Sequence, residues 1–228
     1  MMKRFLIILV MLFWCNVGVA NELIKIPVHV HILEIDEKGY KTKTKPEHIE
    51  VHFRKANEIW AKANIFWNVK KIDYVPANTS DFKSNVEWLR KNRINKKNAK
   101  QDIIERRAEI HDKLLQIDLV QKLGVMNVYY MPYLFSGVCA FTRRFTSPFP
   151  SEELLIMGHT IDPKLKSKEK CKIPGKILAH ELGHMVYLKH VVKSGHLMGK
   201  SGGTKIPKKT AIEARENYKK YIERYMLP

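Results

Sequence analysis

Cysteine is scarce in this chain: three among 228 residues, at positions 15, 139 and 171. Long hydrophobic runs are scarcer still. The stretch from Phe5 to Trp14 is too short to span a bilayer and is broken soon after by Asn16, which argues against a membrane anchor. Cys15 follows Trp14, whereas the residue before a lipidated cysteine is normally small, so a lipid anchor is disfavoured too. Acidic residues are in deficit, 23 against 41 Lys and Arg, for a formal net charge of +18. A field of that sign draws a protein towards anionic surfaces such as phospholipid, lipopolysaccharide, acidic glycans or nucleic acid. The basic stretches lack interleaved aromatics and any nucleic-acid motif, which argues against the last of these.

The N-terminus has the pattern of a signal peptide over residues 1–20. Lys3 and Arg4 precede the apolar run, and Gly18-Val19-Ala20 offers small residues for cleavage near Ala20. The expected product is secreted or periplasmic, and its net charge falls to +16 once Lys3 and Arg4 leave. Two cysteines then remain, Cys139 and Cys171. In an exported chain they suggest one disulfide, with two free thiols as the alternative. The bridge closes a loop of about 31 residues and is worth roughly 3–4 kcal/mol in the chain-entropy account. With 45% hydrophobic residues, the span 21–228 suffices for one well-cored domain, expected to be a monomer.

Residues 24–33 alternate: Ile24, Ile26, Val28, Val30 and Ile32 on one side, Lys25, His29 and His31 on the other. This predicts a half-buried strand with His29 and His31 as polar residues of its outer face. After a lysine-rich turn, residues 46–63 predict a helix with Pro46 at its first position and a core stripe of Ile49, Phe53, Ala56, Trp60 and Ala63. Residues 65–69 predict a second strand. Strand, helix and strand of these lengths form a crossover unit, which implies parallel neighbours in one sheet of an α/β protein.

Residues 81–123 read as a basic helical insertion, with Ile103, Ile110, Leu114 and Ile117 as a stripe suited to packing on the sheet. A strong strand follows at 125–131, then extended sequence through Gly137, Val138, Cys139 and Ala140, and a buried strand at 154–157. His159, just after it, reads as structural or exposed. Pro207 opens an amphipathic, basic C-terminal helix.

The chemistry is concentrated between residues 180 and 198. His180 and Glu181 begin an H-E-x-x-H pattern completed by His184, and His190 extends it to H-E-x-x-H-x-x-x-x-x-H. One helical turn separates His180 from His184, so both imidazoles project from one face and can bind one ion. Glu181 lies close enough to serve a water at that ion without being a ligand. Three nitrogen ligands with one open position describe a catalytic zinc site, since structural sites are usually closed by four protein ligands. Chance gives the shorter pattern in roughly three shuffled chains per hundred of this composition, and the longer one in roughly one per thousand. A surface helix that merely carries histidines is thereby disfavoured.

The stretch resembles the metzincins, zinc endopeptidases with the pattern H-E-x-x-H-x-x-G-x-x-H and a methionine-containing turn beyond it. The resemblance implies a matrixin-like catalytic domain. Its zincin-type α/β fold has a mixed, mostly parallel sheet with an antiparallel edge strand, packed on helices that include the zinc helix, and a small C-terminal subdomain. Residues 21–184 would form the upper part and 185–228 the lower. It further implies one Zn²⁺ held by His180, His184 and His190, with Glu181 as general base in peptide-bond hydrolysis. On the same resemblance Met198 would form the floor of the site, and the edge strand through Gly137, Val138, Cys139 and Ala140 would pair with a protein or peptide substrate. Two positions depart from the pattern. Tyr187 stands where the family usually has Gly, at about 1–2 kcal/mol if the backbone keeps the same left-handed turn. Lys200 stands where some relatives place a metal-contacting Tyr. Two other readings remain open. One is a zinc hydrolase whose third ligand is a carboxylate, Glu213 or Glu216. The other is a non-catalytic, basic binding protein that zinc merely stabilises.

Overall fold

The computed structural model describes residues 22–36, 42–92, 101–115, 125–131, 139–144, 153–158, 174–200 and 202–225. The expected leader, His159, Cys171, Gly137 and Val138 lie outside these. Strand β1 is Ile24–Glu34, helix α1 is Pro46–Trp60, and strand β2 is Ile65–Pro76. Helices α2 (Phe82–Lys91) and α3 (Gln101–Leu115) follow, then strands β3 (Met126–Met131), β4 (Ala140–Arg144) and β5 (Glu153–Gly158). Helices α4 (Pro174–Met185) and α5 (Lys208–Tyr225) complete the order.

The strands form one sheet in the order β2-β1-β3-β5-β4. β1 runs parallel to β2 and to β3, and β3 parallel to β5, while β4 lies antiparallel to β5 at one edge. This is the expected zincin-type α/β arrangement, a mostly parallel sheet with an antiparallel edge. The crossover from β1 through α1 to β2 follows the predicted route. α1 starts at Pro46, whose missing N–H costs nothing in the first turn, and buries Ile49, Phe53, Ala56 and Trp60. A single 3-10 turn over Ala61–Ala63 ends it, and Asn64 at φ 51° redirects the chain into β2.

Two expectations are corrected. β2 runs to Pro76 rather than stopping near Val69. It is an edge strand bonded to β1 alone among the described strands, so Lys70 and Lys71 extend it without burying charge. β1 is buried on both faces rather than on one. Ile26, Val28, Val30 and Ile32 join a core with α1, α4 and α5, whereas Leu33 joins Phe82, Leu89, Ile110, Leu114 and Leu115 of α2 and α3. Helices on both sides of a parallel sheet leave no solvent-facing side for its inner strands. His29 and His31 are therefore 4% and 1% exposed, not surface residues.

The predicted insertion is thus a covering layer, its stripe of Ile110 and Leu114 closing the second face, with Ile103 half-buried. α5 closes the first face through Ala211, Ala214, Tyr218 and Tyr221. Arg215 pins it by donating to the Ala63, Asn64 and Glu22 carbonyls. No helix among the described residues is long and apolar enough to cross a membrane.

Candidate metal centre

Helix α4 is seated by two close approaches. A Cβ on Gly175 would fall 2.4 Å from Lys55 Cβ of α1, and one on Gly183 would fall 2.4 Å from Met198 Sδ. Only glycine admits neighbours that near. Between them the Trp60 indole donates to the Ala179 carbonyl at 3.0 Å, and Leu178, Ala179 and Leu182 are buried. The helix thereby turns His180, Glu181 and His184 away from the α1 contact.

The end of α4 is where the sequence departs from the metzincin pattern, and the backbone there is left-handed. Tyr187 has φ 61°. Its N–H donates to the His184 carbonyl at 2.9 Å, and the Leu188 N–H reaches back to the Gly183 carbonyl at 3.0 Å. These paired bonds are a Schellman cap with tyrosine in the place glycine normally takes. Asn217 of α5 adds a donor to the Val186 carbonyl at 3.0 Å. The chain then turns back, and the Val191 N–H bonds the Met198 carbonyl at 2.9 Å.

That reversal delivers His190 to the other two histidines. The Nε2 atoms of His180 and His184 each lie 3.1 Å from His190 Nε2. Meanwhile His180 Nδ1 donates to the Leu197 carbonyl at 2.6 Å and His184 Nδ1 to the Leu188 carbonyl at 2.7 Å. A neutral imidazole carries a single N–H, so these two bonds place the lone pairs of both rings at Nε2. Both lone pairs point at His190 Nε2, where a single proton can bond only one of them and a cation can be shared by all three nitrogens. Two ligands on a tetrahedral zinc stand about 3.4 Å apart, close to the spacing found, and ring N–H groups bonded to carbonyls are the usual orienting device for metal-binding histidines. The donor set therefore fits a zinc ion.

Glu181 is held separately. Thr142 on β4 has its hydroxyl 3.0 Å from Glu181 Oε2 and 2.9 Å from the Glu181 carbonyl. Burial pushes the Glu181 carboxyl above its ordinary range, against the opposing pull of His180 and the Thr142 hydrogen bond. Met198 is 1% exposed and packs beneath Gly183, on the helix between His180 and His184. His196, buried and held below its ordinary pKa by that burial and then by Lys193, accepts from the Met198 N–H at 3.0 Å and meets the Thr210 hydroxyl at 3.0 Å. It ties the methionine turn to α5.

Among the described residues, His180, His184 and His190 form one of two groups able to share an ion. Glu213 and Glu216 are exposed on α5 and belong to neither group. Cys139 and Ala140 are buried at the start of β4, the edge strand that touches α4 through Thr142. Neither Thr142 nor His196 stood out in the sequence. A hydroxyl on an extended segment has no pattern of its own, although a histidine two residues before the turn methionine offered a hint.

No protein-family model and no curated protein matches the chain. Among solved structures, archaemetzincin from Methanopyrus kandleri aligns over 89% of this chain and 99% of its own, at 13% identity and a TM-score of 0.45. A zinc-dependent peptidase from Methanocorpusculum labreanum aligns over 82% of this chain and 99% of its own, at 15% identity and a TM-score of 0.41. A chaperone–substrate complex aligns over 90% of this chain and 39% of its own, at 11% identity and a TM-score of 0.47.

Proposed function

We propose that the chain is an exported, metzincin-type zinc endopeptidase in which His180, His184 and His190 hold one zinc ion and Glu181 is the general base. The reading is carried by the convergence of three Nε2 atoms whose partner nitrogens on the helix are committed to backbone carbonyls. Zinc, when bound, supplies a Lewis acid that acidifies water and polarises a carbonyl. The chain's own residues do the rest. Glu181 takes the proton of the attacking water and passes it to the leaving amine. Its burial favours the protonated state, which suits a group that must hold a proton between the two steps. Thr142 occupies Oε2, leaving Oε1 for the water.

The β4 edge beside α4, from Ala140 onwards, offers main-chain donors and acceptors to an extended peptide. Met198 supports the histidines from below. A bridge between Cys139 and Cys171 is supported by the bonded state of the Cys139 sulfur, and it would anchor β4 to the lead-in of α4. The signal-peptide pattern supports export, and the net charge of +16 left once Lys3 and Arg4 are removed supports attraction to an anionic surface near the substrate.

The test is metal content and protein cleavage by the purified protein and by Glu181→Ala. The variant should keep its metal and lose at least about a hundredfold in rate. Undiminished cleavage by it rules the mechanism out, and undiminished zinc in His190→Ala returns the third-ligand role to a carboxylate.

A further inference from the structure

On the opposite face of the sheet from α4 lies a second set of metal-ligating side chains. His29 and His31 are two apart on β1 and so project from the same face. In the parallel pairing of β1 with β2, Asp73 stands directly opposite His31. One ring nitrogen from each histidine and an Asp73 oxygen all lie within 4.8 Å of one another. The sequence showed the two histidines without a third ligand, because Asp73 lies more than forty residues on.

We propose that His29, His31 and Asp73 form a second binding site for a zinc-class divalent ion, linking β1 to β2, with its remaining position open to solvent. Three features of the surroundings support it. First, the Asn127 amide donates to the Val125 carbonyl at 3.2 Å, which turns its Oδ1 towards His31 Nε2 at 3.0 Å. Asn127 Oδ1 thus accepts from His31 Nε2–H, which sets the lone pair on Nδ1, the orienting arrangement that metal-binding histidines use. Second, His31 is held between the tilted ring of His29 and the stacked ring of Tyr129, at centroid distances of 4.1 and 4.6 Å. Third, both rings are buried while the Asp73 side chain keeps 29% exposure, so an ion has an approach from the β2 side. Two imidazoles and one carboxylate select borderline transition ions over calcium or magnesium.

The site has one built-in competitor. Lys71 Nζ lies 2.9 Å from Asp73 Oδ2, and His29 Nε2 lies 2.7 Å from the same oxygen. An ion takes the place of the proton between His29 Nε2 and Asp73 Oδ2, that proton moving to His29 Nδ1 or to solvent, and spreads those two atoms to about 3.4 Å. Lys71 is exposed and free to swing aside, so its charge weakens the site without blocking it.

The experiment empties the first centre and counts what remains. Metal-free protein is dialysed to equilibrium against Zn²⁺ near neutral pH and the bound metal is measured. Co²⁺ absorbance serves as a second readout, and circular dichroism shows that each variant is folded. The expected result is two equivalents in the natural protein, one in His180→Ala/His184→Ala, and none when Asp73→Asn is added to that pair. Lys71→Ala, added instead, should tighten the remaining equivalent by about threefold. The inference is overturned if the folded double variant binds no metal, or if Asp73→Asn leaves its metal unchanged. Failure of the peptidase reading has a different signature, since the natural protein and the double variant would then hold equal metal.

Discussion

Tyr187 provides the sharpest test of how the third histidine is delivered. Its φ of 61° lies where a Cβ meets the neighbouring carbonyl, at about 1–2 kcal/mol for any non-glycine residue. Tyr187→Ala and Tyr187→Gly both lose the ring, which packs half-buried against the main core. If roughly 100 Å² of it is hidden, that loss is about 2.5 kcal/mol for either variant. They differ in strain alone: alanine keeps the Cβ at positive φ and glycine does not. In an ordinary helix interior glycine is about 1 kcal/mol worse than alanine. At Tyr187 the sign should reverse, with the glycine variant about 1 kcal/mol more stable than the alanine variant. For a chain of this size that is roughly 2–4 °C in melting temperature. Urea and thermal unfolding of the metal-free proteins, followed by circular dichroism, measure it without interference from ligand linkage. An alanine variant as stable as the glycine variant refutes the left-handed cap, and with it the turn that brings His190 to His180 and His184.

Two further substitutions probe the neighbours of the site. Gly183→Ala sets a Cβ 2.4 Å from Met198 Sδ and 3.1 Å from its Cε, so melting should show a loss of about 1–3 kcal/mol; adding Met198→Ala should cost less than the sum of the two, because the obstructing sulfur is gone. Thr142→Val removes the hydroxyl beside Glu181 Oε2 and should lower kcat/KM about tenfold. That hydrogen bond favours the charged carboxylate and pulls its pKa down against burial. Without it the pKa rises further, so the acid limb of the pH–rate profile should move to higher pH; an unmoved limb would show that Thr142 does not govern the ionisation of Glu181.

Much of the fold was legible because burial followed simple periodicity. The stripe from Ile49 to Trp60 marked the inner side of α1, and strand, helix and strand of matching length required the parallel pairing. The H-E-x-x-H spacing placed two histidines on one helical face. What escaped was set by tertiary neighbours. The alternation in β1 marked His29 and His31 as outward-facing, and they are, but α2 and α3 supply a second core that covers that face. The second strand was expected over residues 65–69 alone, whereas the edge position of β2 lets it continue through Lys70 and Lys71 to Pro76. The partners of the site were hidden for a different reason. His180 and His184 are oriented by the carbonyls of Leu197 and Leu188, and a backbone acceptor looks the same beneath every side chain.

Those two carbonyls also explain why the site behaves as a unit. Leu188 lies just before His190, and Leu197 lies in the turn that the Val191–Met198 bond closes over it. The loop that carries the third histidine therefore also sets the rings of the first two. A shift of that loop does not simply remove one donor. It frees two ring N–H groups to reorient, and with them the tautomer that places both lone pairs at Nε2. Conversely, an ion on the three Nε2 atoms would fix the rings, and the rings, through their bonds to the two carbonyls, would hold the loop. The left-handed Tyr187, Asn217 on the Val186 carbonyl, and His196 between Met198 and Thr210 all bear on this one segment. The strain at Tyr187 is accordingly shared by the Schellman cap, the methionine turn and α5, which is how a non-glycine residue persists at a position made for glycine.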